Sequence, residues 1–108
     1  MATRRLSEIA SVIRSKNAGP FELTFDVMFE KREVYERVKQ SGVLSAELFA
    51  RLYRIPLDDV LSVHAFDPAL SFKVTIARPI SSGSPGDSDV FGAQQHAPLL
   101  DVEVPWGE

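Results

Sequence analysis

FELTFDVMF, residues 21–29, is the stretch that decides the fold class. Its side chains alternate strictly, with Phe21, Leu23, Phe25, Val27 and Phe29 on one face and Glu22, Thr24, Asp26 and Met28 on the other. A period of two is that of a strand, and an apolar face this long predicts one side buried and the other wet. No basic residue interleaves with the aromatic stripe, so it reads as core and not as a base-stacking platform.

Upstream, Leu6, Ile9, Ala10 and Ile13 recur at helical spacing, with Arg14 and Lys16 where a last helical turn favours positive charge. Asn17, Gly19 and Pro20 supply stop signals, so RSKNAGP reads first as a helix ending and second as an anion site. Downstream, the period changes over residues 30–40, where Val34, Tyr35 and Val38 mark a helix that Ser41-Gly42 ends. Ser45 is an N-cap for a further helix carrying Leu48, Phe49, Leu52 and Tyr53, which Pro56 stops. Two strands follow, Leu61–Phe66 and Ser71–Ala77, joined at Asp67-Pro68 as a hairpin. A last strand is expected where Leu100, Val102 and Val104 alternate with Asp101 and Glu103.

The expected order is α-β-α-α-β-β-loop-β in one α+β domain over residues 1–108. A helix pair between the first two strands implies a right-handed crossover that sets them parallel, adjacent or with one strand between them. The architecture is a two-layer sandwich, about three helices on one face of a mixed four-stranded sheet. It is loosely ferredoxin-like, with a long Gly/Ser-rich loop in place of the second crossover helix. The far sheet face then shows Glu22, Thr24, Asp26, Lys73, Thr75, Asp101 and Glu103.

Composition narrows the class. The chain has 108 residues, 44% hydrophobic and 25% charged, which is ordinary globular usage for one domain. A net charge of −3 gives no overall field for nucleic acid or anionic lipid. Cysteine is absent, which removes disulfides, thiolate nucleophiles and cysteine metal sites. The N-terminus lacks the apolar run of a secretory signal and no segment has the length of a membrane span, so cytoplasm is the expected location. LSAELFARLYRIPLDDVLSV has some features of a helix-turn-helix, but Arg54 replaces the turn glycine and Asp58 and Asp59 would face phosphates. LSVHAF after them has strand chemistry.

The candidate chemistry concentrates in residues 79–98, whose core SSGSPGDSDVFGAQQHAP has neither helix nor strand period. Loops longer than about 12–15 residues in compact domains are usually functional or disordered. His96 shares this loop with Asp87 and Asp89, and a carboxylate on one ring nitrogen would prepare the imidazole as a general base. Ser82, Gly83, Ser84 and Gly86 can shape a nest of backbone N–H groups for an anion, with Gln94 and Gln95 as further ligand contacts. Arg14, Lys16 and Asn17 are the other ligand candidates, for a carboxylate or phosphate. His64, on a strand face with no spaced partner, reads as an ordinary strand residue. No metal site and no cofactor motif stands in the sequence: two carboxylates two apart fall far short of a calcium loop.

RSKNAGPFELTFDVMF, SGVLSAEL and RPISSGSPGDSDVFGAQQHAPLLDVEVP together resemble a small family of domains of unknown function. Its members accompany, or are fused behind, acyclic terpene utilisation (AtuA-like) proteins, and the likeness covers approximately residues 5–105. The resemblance implies a free-standing accessory subunit, not catalytic alone, that docks on an AtuA-like partner in catabolism of terpenoid or other branched carboxylic acids. It would do so through the 81–98 loop and the Arg14–Asn17 segment, completing the partner's site. The alternative is a homo-oligomeric module that binds a carboxylate or phosphate ligand by itself. An independent His96-based enzyme, which lacks a nucleophile or metal to complete it, and a DNA reader rank below these.

Overall fold

A computed structural model of the chain describes residues 2–19, 21–77 and 97–106. Among them the elements run β1 (Thr3–Arg5), α1 (Leu6–Ile9), β2 (Val12–Asn17), β3 (Glu22–Met28), α2 (Arg32–Ser41), α3 (Ala46–Tyr53), β4 (Val60–Phe66), β5 (Ser71–Ala77) and β6 (Glu103–Pro105). Short 3-10 turns at Leu57–Asp59, Asp67–Ala69 and Ala97–Asp101 link them. The fold is α+β: three helices accompany a four-stranded sheet of order β2-β3-β5-β4, and β1 with β6 forms a separate two-stranded sheet.

FELTFDVMF supplies β3, at the centre. Leu23, Phe25, Val27 and Phe29 are buried, and Phe25 is fully enclosed. Phe21 departs from the expected stripe: it precedes the strand and is 61% exposed. The alternation therefore holds only where both neighbours hold the pleat. Phe72, Val74 and Ile76 of β5 continue the inner face, and α2 and α3 cover it with Tyr35, Val38, Leu48 and Phe49. Rings meet across the layers, Phe25 with Phe49 and Tyr53 at centroid distances of 5.4 and 4.9 Å, and Tyr35 with Phe72 at 5.2 Å.

Local signals explain the helices. The Ser45 hydroxyl accepts from the Leu48 amide at 3.1 Å, satisfying an N-terminal donor of α3. Gly42 ends α2 with φ of 70°, the left-handed conformation that glycine adopts without a Cβ penalty. Arg54 ends α3 in the same conformation, and the chain enters β4 after one 3-10 turn. LSVHAF is thus strand, as its chemistry predicts.

β3 and β4 flank β5, each antiparallel to it, so they run parallel to one another with one strand between them. This is the split β-α-β arrangement that a helix-pair crossover followed by a hairpin permits. Every adjacent pairing in the four-stranded sheet is antiparallel.

Two further expectations are corrected. Residues 12–17 are not the end of a helix: α1 stops at Ile9 after a single turn, and β2 pairs antiparallel with β3 from Val12↔Met28 to Asn17↔Leu23. The apolar residues of 6–13 fit either period over so short a window, and the open edge of β3 offers a ladder that a lone turn of helix cannot match. The Ala18 amide closes the hairpin onto the Glu22 carbonyl at 3.0 Å, with Gly19 at φ 129°, so the supposed helix stop is a hairpin connection. The last strand also sits elsewhere. Ala97–Asp101 is a 3-10 segment, and β6 pairs with β1 through Arg4↔Val104, not with the main sheet. Leu99, Val102 and Val104 are buried with Leu6, whose amide donates to the Val102 carbonyl at 2.8 Å. Asp101 and Glu103 therefore do not belong to the outer face of the four-stranded sheet.

Candidate functional site

The outer face of the four-stranded sheet is the surface that the described residues leave without a covering element. Residues directly opposite in adjacent strands share a face, so the registers read as rows across the sheet. One row runs Arg14, Asp26, Lys73, His64 from β2 to β4. The next runs Lys16, Thr24, Thr75, Ser62, a lysine followed by three hydroxyls. On the other side of the charged row lie Val12, Met28, Ser71 and Phe66.

Within these rows the Arg14 Nε donates to Asp26 Oδ2 at 3.1 Å, and that carboxylate is largely shielded while the guanidinium is mostly exposed. Thr24 and Thr75 approach through their hydroxyls at 3.3 Å. Thr24 is only 2% exposed although it lies on this outer face, so its hydroxyl is held by its neighbours rather than by open water. Lys16 and Lys73 are exposed, and neither makes an ion pair among the described residues. Asp26 is engaged by Arg14; Lys16 lies beside Thr24 in one row, and Lys73 lies in the next row, two residues from Thr75 along β5. Such a surface suits an anion with several oxygens: the lysines supply charge, and the half-buried Thr75 hydroxyl, backed by buried Thr24, supplies orientation.

Of the residues singled out from sequence, Arg14 and Lys16 belong to this face, two apart on β2. Asn17, opposite Leu23, is on the inner side at the hairpin end, so the three do not form one cluster. Ser82, Gly83, Ser84, Gly86, Asp87, Asp89, Gln94, Gln95 and His96 lie outside the described residues. Lys73 and His64 are the additions. Their outward orientation is legible from alternation, but their alignment with Arg14 and Asp26 depends on strand register, which alternation does not give.

Two other polar features have structural roles. Buried Tyr35 donates to Asp67 Oδ1 at 2.5 Å, and Lys39 Nζ donates to the same carboxylate at 2.9 and 3.2 Å. This ties α2 to the β4–β5 turn. Burial, then the bond to Asp67, pushes the Tyr35 hydroxyl up to about 12. The bonds from Tyr35 and then Lys39 hold Asp67 below its ordinary range, while the bond to Asp67 raises Lys39. Burial also raises Tyr53. Elsewhere, Lys31, Glu33, Val34, Arg37 and Trp106 line a shallow open depression of about 270 Å³. There the Arg37 guanidinium lies 4.8 Å from the centre of the Trp106 ring, a cation–π contact that seats the chain after β6 on α2. Among the described residues, no helix is long and apolar enough to cross a membrane.

Residues 6–103 match the family described as a domain of unknown function, DUF4387. The chain belongs to that family. Comparison with curated proteins and with solved structures gave no match. Family membership thus covers both β2 and the strands that align with it, and leaves the chemistry of the outer face to be argued from its residues.

Proposed function

We propose that this DUF4387 chain is an accessory subunit that docks on an AtuA-like partner enzyme in the catabolism of terpenoid or other branched carboxylic acids. In this reading its outer sheet face meets the acid group, carboxylate or phosphate, at the partner's site. The observation that carries it is the pair of exposed lysines, Lys16 and Lys73, near the Thr75 hydroxyl, without an ion pair among the described residues and on a sheet face that no described element covers, in a chain whose net charge is −3. Cations displayed against the overall charge, on one face, have a local partner and not a general field as their physical use. The sequence resemblance supplies the partner class, and the 81–98 loop with His96, Asp87 and Asp89 remains the second proposed contact.

The same face also supports the alternative, a module that binds the carboxylate or phosphate ligand unaided. Tagging the protein in its native cells, grown on a branched or terpenoid acid, separates the two. The subunit reading expects an AtuA-like protein to be recovered in stoichiometric amount, and much less of it with Lys16→Glu/Lys73→Glu. Recovery of the tagged chain alone, together with binding of the free acid by the isolated domain, would replace it with the module reading.

A further inference from the structure

Along β5 the outer side chains are Thr75, Lys73 and Ser71, so the strand passes from a hydroxyl and a cation to a small residue. Ser71 lies in one row between Met28 on β3 and Phe66 on β4, and Val12 on β2 continues that row beyond Met28. Opposed residues in neighbouring strands have Cα atoms about 5 Å apart, so Met28 and Phe66 stand roughly 10 Å apart with only a serine side chain between them. Phe66 is 48% exposed, Val12 is 38% exposed, and Met28 and Ser71 are half-buried. The face is therefore graded along β5: hydroxyl and cation at one end, a serine floor between apolar walls at the other. Four residues separate Thr75 from Ser71, about 14 Å of strand.

Taking the outer face as an acid-binding surface, on which the accessory-subunit and module readings both rest, we infer that its ligand is an amphipathic carboxylate. The carboxylate meets Lys73 and the Thr75 hydroxyl, and the hydrocarbon part lies over Ser71 between Met28 and Phe66. Charge decides the head: Lys73 is exposed and makes no ion pair among the described residues, while Asp26 beside it is held by Arg14. The sheet decides the tail. β3 and β5 are the inner strands, each paired on both sides, so a hydrocarbon lying over them strands no backbone N–H or C=O. A small, fully polar anion would use Lys73 and Thr75 and leave the Met28–Ser71–Phe66 end of the face unused. Phe66 and Met28 are thus the residues that set preference for the ligand's apolar part.

Amide chemical-shift titration of the full-length chain by NMR, with sodium acetate and sodium octanoate as probes, tests this. Both acids should shift Lys73 and Thr75, and octanoate alone should also shift Met28, Ser71 and Phe66. Octanoate should bind at least tenfold more tightly, the gain expected from burying about two methylene groups. Phe66→Ser, at an exposed position, should bring octanoate down to the affinity of acetate, and Lys73→Gln should weaken both acids alike. Octanoate no tighter than acetate would overturn the hydrocarbon assignment and leave the acid-binding reading of the face standing. Octanoate shifts centred on exposed Leu57 and Leu61 and unchanged by Lys73→Gln would overturn it as well. No shift with either acid at about 20 mM, above the millimolar constants of weak binding, would overturn both.

Discussion

Replacing Phe25 and Phe21 with alanine tests the assignment of FELTFDVMF most sharply, because the two rings are identical in sequence chemistry and opposite in structure. Phe25 is fully buried between Phe49 and Tyr53, with centroids 5.4 and 4.9 Å away, while Phe21 is 61% exposed. Large-to-small truncation of a buried aromatic costs about 3–5 kcal/mol, because the cavity adds to the lost transfer energy. Two ring contacts put Phe25→Ala at the upper part of that range, about 4 kcal/mol. With a urea slope of about 1.5 kcal/mol per molar, the unfolding midpoint should fall by roughly 2–3 M. Phe21→Ala should stay within about 0.5 kcal/mol. Urea titration followed by circular dichroism reads both, and Phe25→Leu provides a milder variant if Phe25→Ala does not fold. Equal losses for the two alanines, or a Phe25→Ala loss below about 1 kcal/mol, would refute the placement of β3 and of the core above it.

Further expectations concern caps, tyrosines and charge. Ser45→Ala removes the acceptor of the Leu48 amide and should cost about 1 kcal/mol in urea unfolding, whereas Ser45→Asp should retain most of the stability. Gly42→Ala, at φ 70° with open space around the position, should cost about 1 kcal/mol through backbone strain alone. Both tyrosines are raised above their ordinary value of 10, so ultraviolet titration of the folded protein should show no phenolate step there, and Tyr35 should ionise at about 12. A raised tyrosine binds its proton more tightly when folded. Its stabilising contribution is therefore present below pH 10 and is lost as pH rises toward 12. Asp67 behaves in the opposite sense: its depressed carboxyl stabilises the fold above its ordinary value of 3.8, and the contribution is lost as acid protonates it. Tyr35→Phe should abolish the titration step near 12 and weaken the acid dependence.

The parts of the fold with redundant local signals were legible in the sequence. β3 shows itself by strict alternation, α3 by its Ser45 cap and apolar face, and the β4–β5 hairpin by Asp67-Pro68 between two strand-like segments. β2 was not, because Leu6, Ile9, Ala10 and Ile13 satisfy a helical period as well as the strand that Val12 and Ile13 favour. What decides between them is the unfilled edge of β3, a tertiary fact. The pairing of β6 is hidden for a related reason: its partner β1 is Thr3-Arg4-Arg5, three exposed residues with no strand signature of their own. For the site, the charge of Arg14 and Lys16 is visible in the sequence, but their helical-looking context hides the strand that carries them. Lys73 and His64 join them only through register, which depends on the hairpin closing at Ala18 and Glu22.

We propose that the outer sheet face, through Lys16 and Lys73, meets an acid-processing partner. Calorimetric titration of the purified chain into a purified AtuA-like protein, with and without a branched-chain carboxylate, tests it most directly. Saturable binding near one chain per partner subunit is expected, weakened at least tenfold by Lys16→Glu/Lys73→Glu and far less by Lys31→Glu away from the face. Absence of heat with wild type, or equal affinity for the wild type and the double charge reversal, would contradict it.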